Sequence, residues 1–356
     1  MPVTMEVLLR EMVERHASDL HMHSHTPPQI RVNSRLLALG YPDLTPDECK
    51  GLIFSQLTTD EIQEFEQRKE LDKSFGIPGF SRFRLNAFYN RGSVCAAVRA
   101  IPESIPSFAE LGLPEDIMGR ICRTQRGLVL ITGSTGAGKT TTMASVVKYI
   151  NAERNCHIVT IEDPIEYIHN NNHCIITQRE VGADTHSFGD ALKYVLRQDP
   201  DVIIIGEMRD LETIQAALNI AETGHLVFAT LHTADCVQTI NRIIDVFPPS
   251  QQAQVRTQLS FVLVGSLSQL LLPRSDGKGR CLATEIMIAN LGVRTLIREE
   301  KVHQIFSLLQ TGQQDGMRTL NQSLYELYRQ GKISYQEAVN HVSDQEDFKR
   351  FFRAGR

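Results

Sequence analysis

The chain has 356 residues, 42% hydrophobic and 22% charged, with a formal net charge of −5. That length suggests two domains, or three, of an ordinary globular class, and an acidic balance with no long basic block disfavours a nucleic-acid motor. The longest apolar stretch, Phe261 to Pro273, is too short to span a bilayer, and the first residues lack the basic and apolar regions of a secretion signal. Seven cysteines with no C-x-x-C pair read as reduced, mostly buried thiols of a cytoplasmic protein, with neither a disulfide framework nor a zinc site.

Residues 5 to 15 place Leu8, Leu9, Met12 and Val13 at helical spacing. His21, His23 and His25 then alternate, so a strand through them would set all three on one face. Without the spacing of known metal sites, they read as polar groups on a sheet face rather than ligands. A strand is expected over Gln29 to Asn33, and Asn33-Ser34 starts a turn into Arg35 to Leu39. Thr45-Pro46-Asp47-Glu48 and Thr58-Thr59-Asp60-Glu61 are capping boxes that open two helices. Strand-like runs follow at Leu71 to Gly76, Arg82 to Tyr89 and Ser93 to Ile101, separated by turn signals at Pro78-Gly79 and Arg91-Gly92. This is the pattern of a small α+β domain with a mostly antiparallel sheet. Pro102 to Pro106 reads as linker, and Ser107 to Glu110 caps the next helix.

From Leu128 the pattern changes to apolar strands alternating with helices, as in an open α/β sheet. The run Leu128 to Ile131 leads into Gly133-Ser134-Thr135-Gly136-Ala137-Gly138-Lys139-Thr140, and Thr141 onward is helical. Strand, glycine-rich turn and helix together are the context of a phosphate-binding loop. Its N–H groups and helix dipole favour phosphate oxygens, Lys139 reaches the β- and γ-phosphates, and Thr140 offers a hydroxyl to Mg²⁺. A nucleoside triphosphate is therefore the expected ligand.

Three further buried strands are expected. His157 to Ile161 ends at Glu162-Asp163-Pro164-Ile165-Glu166, and Val202 to Ile205 ends at Gly206-Glu207-Met208-Arg209-Asp210. Leu226 to Thr230 is flanked by His225 and His232. Ligands of such sheets gather at the carboxyl ends of the strands, so these groups are expected to converge on the nucleotide. The aspartate that commonly ends the second strand of phosphoryl-transfer enzymes is missing, which turns attention to Glu207 and to the acidic box at Glu162, Asp163 and Glu166. The rest reads as largely helical. Gln251 to Leu272 is long and apolar in its second half, a polar loop and a strand over Cys281 to Ile288 follow, and helices are expected near 294–300, 301–310 and 317–330. Capping boxes at Ser334 and Ser343 begin two more.

Together and in this order, the phosphate loop, Thr160 to Glu166, Gly206 to Asp210, and Gly224-His225 through Leu231-His232-Thr233 resemble the four motifs of the type II/IV secretion ATPases. The last three match their aspartate box, atypical Walker B and histidine box. Ser18-Asp19-Leu20-His21, Pro27 to Val32 and Gly292-Val293-Arg294-Thr295-Leu296-Ile297-Arg298-Glu299 are similar to elements of their pilus-retraction branch. Gly292 and Thr295 depart most from that last element, in which Val293, Leu296 and Ile297 would face the core.

The resemblance implies a PAS-like α+β domain over 1–101, a linker over 102–112, a RecA-like α/β ATPase domain over 113–290 and a helical C-terminal region over 291–356. It implies ATP and Mg²⁺, with Lys139, Thr140 and Thr141 on the phosphates, Glu207 in the metal shell, and Glu162 or Glu166 orienting water; spacing alone leaves those two open. His225 and His232 either sense the phosphates or orient nearby loops. Family members are hexameric rings, and Arg82 and Arg84, i and i+2 on one strand face, are the candidates to reach a neighbour's nucleotide, with Arg99 a further one. Retraction of a pilus from an inner-membrane platform protein is the implied activity. An accessory retraction ATPase, either as a partner or as this chain's own role, and a ring that binds nucleotide without turnover are the alternatives.

Overall fold

Residues 3–32, 35–77, 80–101, 104–342 and 344–354 are described by a computed structural model of the chain. The turns expected at Asn33-Ser34 and Pro78-Gly79, the start of the linker at Pro102-Glu103 and the cap at Ser343 lie outside them. The chain divides into two units, Met1–Ser104 and Ile105–Arg356.

In the first unit six antiparallel strands form one sheet: β1 (Asp19–Met22), β2 (Gln29–Val32), β3 (Arg35–Ala38), β4 (Glu70–Ile77), β5 (Ser81–Asn90) and β6 (Ser93–Ile101), in the order β3-β2-β1-β6-β5-β4. Period-two alternation explains the packing. Phe83, Leu85 and Ala87 of β5 are fully buried in a core shared with Leu8, Leu9 and Met12 of the first helix and Phe65 of the third. Arg82 and Arg84 point to the opposite face. Thr45 and Thr58 each accept from a backbone N–H while Glu48 and Glu61 bond back, so both capping boxes form.

The expected histidine stripe needs correction. β1 stops at Met22, and His25 has a φ of 61°, so His21, His23 and His25 do not share a strand face. The chain must turn there to bring β2 back alongside β1, with His21 opposite Gln29.

The second unit holds β7 (Gly127–Thr132), β8 (His157–Glu162), β9 (Ile175–Glu180), β10 (Val202–Ile205), β11 (Leu226–Leu231), β12 (Leu263–Pro273) and β13 (Arg280–Ile288), in the order β13-β12-β7-β11-β10-β8-β9. All pairings are parallel except β12 with β13. β7, β10 and β11 are buried at every residue, as strands covered on both faces must be. One apolar cluster fills each face.

Two strands differ from the sequence expectation. The long helical reading of Gln251 to Leu272 is wrong beyond Val262: the helix is Pro249–Val262, and β12 begins at Leu263. β12 pairs with β7 on one side and β13 on the other, and Gly265 permits a close approach to β13, since a Cβ there would lie 2.7 Å from the Met287 carbonyl oxygen. Pairing on both sides outweighs a run of leucines that is ambiguous by periodicity. β9 has no counterpart among the strands expected from the sequence. Beyond β13, helices at Leu291–Arg298, Ile305–Thr311, Leu320–Arg329, Tyr335–Asn340 and Gln345–Ala354 complete the unit. No helix of the described residues is long and apolar enough to cross a membrane.

Candidate nucleotide site

The phosphate loop leaves the buried β7 at Gly133, whose φ is 143°. Any Cβ there would lie 2.5 Å from the Gln269 carbonyl oxygen on β12 and 2.9 Å from the Ala137 Cβ, so only glycine fits. Gly138 (φ 89°) is the N-cap of the helix Lys139–Glu153, and it provides no side-chain cap. The first N–H groups of a 15-residue helix are thus left for an anion. Lys139 Nζ donates to the carbonyl oxygens of Gly133 (2.8 Å) and Ser134 (3.1 Å), which folds the ammonium over the loop. Burial lowers its pKa, and the charge of Glu207 opposes that shift.

The parallel order β7-β11-β10-β8 lays His232, Glu207 and Glu162 side by side at successive strand ends. His232 Nδ1 lies 3.4 Å from Lys139 Nζ and its Nε2 3.1 Å from Glu207 Oε1. Arg209 Nη2 donates to Glu207 Oε2 at 2.7 Å. Burial works to raise the Glu207 carboxyl, but the Arg209 hydrogen bond and the neighbouring His232 outweigh it and hold the group below its ordinary value. An ionised carboxylate and the exposed Thr140 hydroxyl are the hard oxygen donors that Mg²⁺ takes, so these two residues fit the metal.

Glu162 lies about 14 Å from β7 by strand spacing, three strands away. Its Oε1 accepts from Thr160 Oγ1 (2.6 Å) and Gln178 Nε2 (3.1 Å). Burial pushes this carboxyl up; the two hydrogen bonds pull against the shift, and Glu166 and Glu180 add to it. The loop after Glu162 returns to the phosphate loop through Tyr167, whose hydroxyl is 3.1 Å from Thr141 Oγ1. Glu166, half-buried beside it, makes no hydrogen bond or ion pair among the described residues.

A cavity of about 580 Å³ adjoins the helix start, with Ala137, Gly138 and Thr141 on one side and Gly112, Leu271 and Leu282 among the groups around it.

His225 is not brought to the loop. It precedes β11, and its carbonyl oxygen accepts from Gly127 N (2.9 Å) at the amino end of the sheet. Its ring Nδ1 instead faces the Ile220 carbonyl and Thr223 hydroxyl, both at 3.2 Å. The expectation that both histidines attend the nucleotide is corrected within this chain to His232. Arg82 and Arg84 belong to the first unit, where Arg84 lies 3.6 Å from Asp72 and opposite Arg99 in register. Arg99 is taken up by Asp19 at 2.9 Å.

Sequence reading missed Arg209, Tyr167, Gln178 and Gln269. The Ile-Ile-Thr of β9 is a strand signal that would have placed Gln178. Gln269, nearly fully buried, donates to Thr142 Oγ1 at 2.7 Å beneath the loop, and only the pairing of β12 with β7 puts it there.

In the element 292–299, Val293 and Ile297 are fully buried. Arg294 donates to four main-chain oxygens: Ala289 (2.8 Å), Ser260 (2.6 Å), Phe261 (2.7 Å) and Leu263 (2.8 Å). It clamps the junction of the helix Pro249–Val262 with β12. A Cβ at Gly292 would stand 3.1 Å from Leu308 Cδ1, and Thr295 Oγ1 donates to the Leu291 carbonyl.

Comparison with known proteins matches residues 2–340 to the family described as Type II/IV secretion system protein. The type IV pilus retraction ATPase PilT of Pseudomonas aeruginosa is 45% identical over 96% of this chain and 98% of its own length. The type IV pilus ATPase PilU of the same organism is 41% identical over 98% and 91%. Among solved structures, that of the pilus retraction motor PilT with bound ADP superposes with a TM-score of 0.92 at 48% identity, covering 98% of this chain and 99% of that one.

Proposed function

The chain belongs to the type II/IV secretion system protein family, and on that premise we propose that it hydrolyses ATP to drive retraction of a type IV pilus. The observation that carries the reading is the line from Lys139 through His232 to Glu207, which links a phosphate loop to a carboxylate held ionised. Similarity to PilT along nearly the whole chain supports the retraction role.

In this reading the loop from Gly133 to Thr141 receives the phosphates of ATP, and Lys139 leaves the Gly133 and Ser134 carbonyls for the β- and γ-phosphates. The adenosine lies toward the cavity bordered by Thr141. Thr140 and Glu207 would hold Mg²⁺, which supplies positive charge against the charge developing on the phosphates. Glu162 orients the attacking water; a carboxyl raised by burial is a better base than an ordinary one. Glu166 is the next candidate for that role. His232 aligns Glu207, and Arg82 and Arg84 stabilise the transferring phosphoryl group of an adjacent subunit.

The motor is a homohexameric ring, cytoplasmic and peripheral to the inner membrane, docked on a pilus platform protein and not on nucleic acid. An accessory retraction ATPase acts beside it. A second reading, in which this chain is itself the accessory ATPase, is favoured by the 41% identity to PilU. Within the site, Glu207 follows Glu162 and Glu166 as a candidate for orienting water, because it lies one strand nearer the phosphate loop than Glu162.

Steady-state ATP turnover of the wild type and of Lys139→Ala, Glu162→Gln, Glu166→Gln and Glu207→Gln tests the site. Turnover lost with Lys139→Ala supports the ATPase, whereas a wild type without turnover leaves a nucleotide-gated ring. The carboxylate whose amide variant binds ATP and does not hydrolyse it is the water-orienting group. Complementation of twitching in a strain lacking its retraction ATPase separates principal from accessory motor.

A further inference from the structure

The acidic loop from Glu162 to His169 is held by side chains of β9 rather than by its own sequence. Gln178 uses its whole amide for this. Nε2 donates to Glu162 Oε1 (3.1 Å) and to the Tyr167 carbonyl oxygen (2.8 Å), while Oε1 accepts from His169 N (2.9 Å). Two residues further along β9, Glu180 Oε2 accepts from Ile165 N (2.9 Å), and the Glu162 carbonyl accepts from Val181 N. The register fixes this arrangement, with Thr160 opposite Gln178 and Glu162 opposite Glu180. Tyr167, almost fully buried, then meets Thr141 at the start of the phosphate-loop helix. Hydrogen bonds thus link Glu162 to Gln178 and Gln178 to the Tyr167 main chain, and the side chain of the same tyrosine carries the connection on to Thr141.

We propose that Gln178 is a positioning residue for hydrolysis: its amide holds the Glu162 carboxylate and the Tyr167 main chain in one frame, so that the acidic loop meets the phosphate loop at Thr141. This rests on the reading of the chain as an ATPase in which Glu162 orients water. Glutamine suits the place because only a side-chain amide donates twice and accepts once in a single plane. A carboxylate there would set acceptors against the Glu162 and Tyr167 oxygens, and an aliphatic chain would leave all three partners without their bonds.

The charges around Glu162 make the role readable in a pH profile. Glu166 of its own loop and Glu180 of β9 both act to raise its pKa, while Thr160 and Gln178 act to lower it. Asp163 follows it in the chain, and the Glu207–Arg209 ion pair follows the adjacent β10. Loss of the Gln178 donor therefore raises the pKa of Glu162, and activity that needs it ionised fails at a higher pH on the acid side.

The test is kcat, the KM for ATP and the pH dependence of kcat for the full chain and for Gln178→Leu and Gln178→Glu. Gln178→Leu lowers kcat roughly 10-fold or more, with little change in KM, and moves the acid limb to higher pH. Gln178→Glu, which keeps the shape and the bond from His169 N should the leucine variant not fold, moves the limb further. Acid limbs coincident with the wild type in these variants overturn the proposal even where kcat falls, because a purely structural role leaves the pKa of Glu162 in place. Failure of the underlying reading shows elsewhere: full turnover in Glu162→Gln removes the role of Glu162, and full turnover in Lys139→Ala removes the site.

Discussion

His232 Nε2 lies 3.1 Å from the Glu207 carboxylate while the opposite ring nitrogen faces the Lys139 ammonium at 3.4 Å. An ammonium only donates and a carboxylate only accepts, so the tautomer with its proton on Nε2 satisfies both neighbours. That tautomer follows from the partners, and it makes His232 the link between the lysine that meets phosphate and the carboxylate that fits the metal.

His232→Ala breaks this link without touching the loop glycines or the Lys139 bonds to Gly133 and Ser134. Turnover is expected to fall by about 10- to 100-fold, with nucleotide binding retained. Steady-state turnover and a titration with a fluorescent ATP analogue check this, and undiminished turnover would remove His232 from the site.

Glu162→Gln is expected to trade activity for stability. The folded protein holds the Glu162 proton to higher pH than the unfolded chain does, because burial raises the carboxyl from its ordinary 4.5. The contribution of that bound proton is complete at low pH and is lost as pH rises through the folded pKa, so at neutral pH the wild type carries the cost of a buried charge. The glutamine oxygen keeps the donors Thr160 and Gln178 and carries no charge. The variant should be more stable at neutral pH, with the gap closing as pH falls through the folded pKa. Thermal melts across pH measure this; a variant less stable at neutral pH would contradict the burial argument.

Arg294→Ala should destabilise the second unit by about 2 to 4 kcal/mol, since four main-chain oxygens lose a charged donor at one junction. Arg294→Lys recovers only part of the loss, because a single ammonium cannot reproduce the planar fork. Arg298→Ala, at an exposed position, changes stability by about 0.5 kcal/mol or less. Denaturant unfolding of the three variants distinguishes a structural clamp from a surface charge. Equal effects at 294 and 298 would refute the clamp.

Much of the site was legible because its signals are local. Gly133 to Thr140 carries a turn that only glycines adopt, directly after a strand and before a helix. The boxes at Thr45 and Thr58 bond within four residues. The pairing Gln178–Glu162, the path Tyr167–Thr141 and the four oxygens of Arg294 were not legible, because each joins segments whose contact depends on where β9 and β12 enter the sheet.

The sequence by itself determined that a phosphate loop exists, which three motifs accompany it, and that an antiparallel domain precedes an α/β one. Backbone preference and residue chemistry act over a few neighbours, so a linear reading recovers them. Only the tertiary structure decided that His232 and not His225 stands at the loop's end of β11. The direction of that strand beside β7 fixes which of its flanks meets Lys139, and strand direction is set by pairing and burial across the whole sheet.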